Sequence, residues 1–176
     1  MREPAAAGGL PSLYQELILD HYRRPRNKGA LENPSVTVSM YNPVCGDEIE
    51  LQLTLEEGRL AAIRFGGHGC SISQASASMM TLQTGGRGVE EVGGLVELFK
   101  LLMHGSTDAA ADRRLGDLRA LQGVARFPVR IKCALLAWNA LEEALRVHAI
   151  GEGDAGQIVV DDAEGLPAGE PRDLLL

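Results

Sequence analysis

The chain has 176 residues, 45% hydrophobic and 23% charged, with a formal net charge of -7. That length can bury one sizeable core. The acidic balance argues against a nucleic-acid surface, which needs a basic face, and no apolar run approaches the roughly 20 residues of a membrane span. Three cysteines, none spaced as Cys-x-x-Cys, argue against a disulfide framework and a zinc ribbon and leave metal binding, thiol chemistry or plain burial.

Residues 1–11 read as a disordered tail. They lack the apolar segment of a secretory signal, which points to a cytoplasmic protein. Ser12 opens a capping box with Gln15, and Leu13, Leu17, Ile18 and His21 form a helical stripe that ends before Pro25. The spacing predicts a helix over about 13–24. Three strands follow. Val36 to Met40 alternates, Ile49 to Leu55 alternates strictly, and Leu60 to Phe65 returns after the Glu57-Gly58 turn. Cys45 therefore falls at a loop tip between the first two strands, with Asp47 two residues on.

Gly66-Gly67-His68-Gly69 then turns the chain tightly into a small-residue-rich helix from Ser71, so Cys70 lies at a helix N-terminus. A helix is predicted over about 89–104 and a short helical insertion within 105–127. Pro128 opens a long helix to about Ala149 with Ile131, Leu135, Trp138, Leu141 and Leu145 on its apolar face. Residues 150–176 read as an acidic, mostly mobile tail with a short strand allowed at Gln157 to Val160. Strands before helices predict an α+β fold, a three-stranded antiparallel sheet covered on one face by helices. It forms a single domain over 12–149 with an insertion at about 105–125.

All three cysteines fall at element ends, where separate segments can assemble one site. Position alone leaves a shared site and three unrelated core cysteines both open. The chemistry favours a site. Cys45, Asp47, Cys70 and Cys133 offer three sulfurs and one oxygen, a closed tetrahedral set for Zn²⁺. With a dication that set carries a formal charge of about minus two. Helix N-termini beside Cys70 and Cys133, with Arg130 and Lys132 nearby, would offset it and favour thiolates.

The stretches NPVCGDEIEL, FGGHGCSISQASASMM and FPVRIKCALLAW, with LYQELILDHYRRPRNKG near the start, resemble the U-type iron–sulfur assembly proteins. The resemblance runs from about Leu13 to Ala149. It implies an IscU/SufU-like fold and one of two activities. One branch is a scaffold on which a transient [2Fe–2S] cluster is assembled and handed on. The other, SufU-like, is a zinc-dependent sulfurtransferase that accepts persulfide sulfur from a SUF-type cysteine desulfurase and passes it to the downstream SUF assembly complex. Lys132 stands where the scaffold branch usually has His, and the insertion and the absence of a Leu-Pro-Pro-Val-Lys motif also favour the second branch. The resemblance implies zinc on Cys45, Asp47, Cys70 and Cys133. It makes Cys45 the sulfur acceptor, displaced from zinc by a partner histidine, and Arg130 a residue that stabilises charge at the site.

Other features carry plainer readings. His68 is set aside as a ligand because four donors already exist. His21-Tyr22 reads as helix packing or a partner-facing feature, and Met79-Met80 as core filler. The glycine run lacks the Gly-Lys-Ser/Thr ending of a phosphate loop.

Overall fold

Alternation decides the sheet. In the computed structural model, which describes residues 12–151 and the backbone of 154–160 and 167–168, the strands are β1 (Val36–Asn42), β2 (Asp47–Glu56), β3 (Arg59–His68), β4 (Asp154–Val160) and β5 (Pro167–Ala168). Val36, Val38, Met40, Ile49, Leu51 and Leu53 are fully buried on one face, and the residues between them stay partly open. β1 pairs antiparallel with β2, with Val38 opposite Leu51, and β2 antiparallel with β3, with Leu51 opposite Phe65. The expected three-stranded antiparallel sheet is present.

Two strands extend it, giving the order β3-β2-β1-β4-β5. β4 runs parallel to β1, with Met40 opposite Ile158, and β5 returns antiparallel to β4. The strand signal at Gln157 to Val160 thus starts earlier, at Asp154. An acidic, Gly-rich stretch carries little alternation, and the open edge of β1 completes its hydrogen bonds. The expected tail at 1–11 lies outside the described residues, as does much of 150–176.

The helices are α1 (Ser12–Arg23), α2 (Ser71–Thr84), α3 (Val89–Met103), α4 (Thr107–Ala111) and α5 (Pro128–Ala149). Pro128 occupies the first turn of α5, where its missing N–H leaves no bond unmade. α5 packs across β1 and β2, and α2 against α1, α5 and β3. The segment expected as a short helical insertion folds as α4 followed by a 3₁₀ segment, Arg113–Arg126, that packs on all five helices. Its Leu115, Leu118, Leu121 and Val124 are buried. Among the described residues no helix is long and apolar enough to cross a membrane.

α2 is buried almost all round, from Ser73 to Thr81. Its small side chains let neighbours approach, and its hydroxyls find partners, as buried polar groups must. Ser76 Oγ donates to Ala134 O (2.7 Å) and accepts from Trp138 Nε1 (3.1 Å). Trp138 stacks on Phe99 with ring centroids 4.5 Å apart. His21, in the helical stripe of α1, is buried and meets Ser78 Oγ at 2.7 Å, which bears out a packing role.

Candidate metal centre

The β1–β2 turn is built by Asn42. Its side-chain Oδ1 accepts from Val44 N–H at 3.0 Å, and its carbonyl accepts from Gly46 N–H at 2.8 Å. Gly46 closes the turn at φ +72°, a left-handed conformation that costs glycine nothing. Cys45 is thereby held out at the tip and is exposed. Asp47 is already strand, paired with Asn42. It shares the face of Ile49 and Leu51, so it is buried under the helices, 2% exposed. The sequence reading placed it with the loop, but the alternation extends back to it.

Cys70 is the N-cap of α2, in extended backbone, with Ser73 N–H directed at its sulfur at 3.5 Å. Its own N–H donates to Asp47 Oδ1 at 2.9 Å, and its Sγ lies 3.5 Å from Asp47 Oδ2. Cys133, in the second turn of α5, is fully buried, and its Sγ stands 3.7 Å from Cys45 Sγ. Donor atoms of Cys45, Asp47 and Cys133 all lie within 4.8 Å of one another, a group that could hold a metal ion. Cys70 lies outside that triple and joins it through the Asp47 carboxylate. His68 is not in the group and is exposed.

The electrostatics divide the thiols. A hydrogen bond from Cys133 lowers Cys70 to about 6, with Ser73 N–H helping at the helix N-terminus against the cost of burial. The same hydrogen bond, with burial and the Cys70 charge, drives Cys133 far up. Partial burial, and then the Asp47 carboxylate, push Cys45 up. Arg130 is exposed in the first turn of α5, and the charge on Cys70 and a hydrogen bond to Cys133 raise its already high pKa. One accessible thiol, two more sheltered ones, a buried carboxylate and an adjacent cation form a soft, anionic donor set suited to a borderline-soft dication. Sequence reasoning missed Asn42, which organises the turn, and Ser73. An Asn just before a Pro-x-x-Gly turn was the available signal for the first.

Residues 13–134 match the family model described as the NifU-like N terminal domain. The chain is 48% identical over 137 residues to the zinc-dependent sulfurtransferase SufU of Bacillus subtilis (strain 168), covering 77% of this chain and 91% of that protein. It is 42% identical over 144 residues to the iron–sulfur cluster assembly scaffold protein IscU of Streptococcus pyogenes serotype M1, covering 82% of this chain and 89% of the other. Among solved structures it resembles a putative iron–sulfur cluster assembly scaffold protein for the SUF system from Fervidobacterium islandicum AW-1. There the TM-score is 0.67 at 31% identity, over 78% of this chain and 99% of that one.

Proposed function

The chain belongs to the NifU-like N-terminal domain family, and from that membership together with the geometry of the site we propose that it is a zinc-dependent sulfur acceptor in iron–sulfur cluster assembly. In this reading it takes persulfide sulfur from a SUF-type cysteine desulfurase in the cytoplasm and passes it to a downstream SUF assembly complex. The observation that carries the reading is the asymmetry of the cysteines. Cys45 is exposed on a turn, while its sulfur touches that of the buried Cys133. A purely structural site would have no use for an accessible donor.

Cys45, Asp47, Cys70 and Cys133 would hold the zinc, which when bound keeps the thiols deprotonated and masks Cys45 from other electrophiles. The chain's own residues do the rest. The Cys45 thiolate attacks the terminal sulfur of the desulfurase persulfide. The new Cys45 S–S bond forms as the old S–S bond breaks, and the donor cysteine leaves as thiolate, so no external oxidant or reductant enters. Cys70 and Cys133 remain in the interior and keep the site's shape. Arg130 offsets the negative charge that gathers as thiolates exchange. The upward pull of the Cys70 charge, and then of Cys133, on its pKa supports that role.

A second reading, a scaffold that carries a transient [2Fe–2S] cluster as cargo, is supported by the 42% identity to the streptococcal scaffold protein. Metal content after purification without added iron, paired with desulfurase turnover, separates the two. Near-stoichiometric zinc, no visible absorption, and desulfurase activation that is lost in Cys45→Ala are expected. Iron with acid-labile sulfide and no activation would replace the first reading by the second.

A further inference from the structure

The glycine run at 66–69 belongs to no phosphate loop, and the metal site has not yet used it. Gly69 stands out within it. Its φ is not in the left-handed range, so the backbone does not demand glycine there. The space does. A Cβ built on Gly69 would sit 2.8 Å from Asp47 Oδ1 and 2.9 Å from Asp47 Cγ, and closer still to Ser73 Oγ. Neither neighbour has room to retreat. Asp47 is 2% exposed and its Oδ1 accepts from Cys70 N–H at 2.9 Å. Ser73 is fully buried, and its Oγ donates to Cys70 O at 3.1 Å.

We propose that Gly69 is a positioning residue of the metal centre: the missing side chain at 69 leaves the space in which the Asp47 carboxylate is seated between the Cys70 amide and the sulfurs. The proposal rests on the reading of Asp47 as a ligand. An alanine at 69 displaces the Asp47 carboxylate from the donor group without straining the backbone. Close packing gives a methyl group little other room, because interiors have few voids to absorb one.

The test is a zinc titration of the metal-free protein against a chromogenic chelator, with far-UV circular dichroism to report the fold. Gly69→Ala is expected to weaken zinc about 10- to 100-fold, the range for residues that orient ligands. Gly66→Ala, whose Cβ meets nothing within 4 Å and whose φ is also outside the left-handed range, is expected to bind as wild type. In an Asp47→Ala background the further cost of Gly69→Ala should nearly vanish, since the two changes remove one interaction. If Gly69→Ala does not fold, Gly69→Ala/Ser73→Ala relieves the closest contact and keeps the one to Asp47, and weak zinc binding is still expected. Wild-type affinity in the folded Gly69 variant, or an undiminished penalty in the Asp47→Ala background, overturns the proposal. Wild-type affinity in Asp47→Ala itself overturns the ligand reading, and the proposal with it, and so is told apart from failure at Gly69 alone.

Discussion

Cys45 and Cys133 touch, yet one is exposed and the other buried. That contrast follows from one turn. Asn42 caps it from within, and Gly46 lets the chain return at φ +72° so that Asp47 resumes the strand. Nothing lies within 4 Å of a Cβ at Gly46, so a substitution there meets backbone strain alone. Gly46→Ala should destabilise the metal-free protein by about 1–2 kcal/mol, the cost of a left-handed L-residue, read from urea unfolding. A smaller change would mean that the turn relaxes to another conformation. The sequence already showed the Cys-Gly-Asp spacing and four candidate donors. It did not show that Asp47 is seated against Gly69, because that contact joins residues from two strand ends.

At the scale of elements, α2 is the hub. One end carries Cys70, and its flank receives α1 through His21 and Ser78. Ser78 Oγ also accepts from Arg26 N–H at 2.8 Å, tying the loop after α1 to the same hydroxyl. Burial, and then the Arg26 charge, lower the pKa of His21 below the usual imidazole value. The neutral ring therefore belongs to the folded state. Above the unfolded value of about 6.5 nothing is lost. As pH falls below it, the unfolded chain takes up a proton that the fold resists, and stability drops until the folded pKa is passed. Urea midpoints of the metal-free protein should decline from pH 7 toward 5.5 more steeply in wild type than in His21→Gln. Parallel declines would show that His21 titrates alike in both states. Helix periodicity had marked His21 as part of the α1 stripe. That it meets a serine, rather than an apolar neighbour, emerged from the docking of α1 on α2.

Over the whole molecule, the sheet continues past the site on the β1 side. β4 gives β1 a parallel partner and occupies the row of N–H and C=O groups that would otherwise form an open edge. Removing residues 152–176 should cost about 1–2 kcal/mol, seen as a fall of ~2–8 °C in Tm, and should favour self-association through the bared strand. Zinc stoichiometry should be retained, since all four proposed donors lie between 45 and 133. An unchanged Tm would mean that β4 adds nothing to the fold's stability.

The sequence by itself determined the order of helices and strands from α1 to α5, the α+β class, and which donors were available, because period and capping are local properties of the chain. For residues 105–127 it offered one short helical piece, where the fold has α4 and a 3₁₀ segment. The tertiary structure decided the rest: β4 beside β1, Asp47 turned inward, and Cys45 against Cys133, 88 positions apart in the chain. These are long-range pairings. Their free energies depend on which buried surfaces meet and which polar groups would otherwise go unsatisfied, and neither is written in any short window of residues.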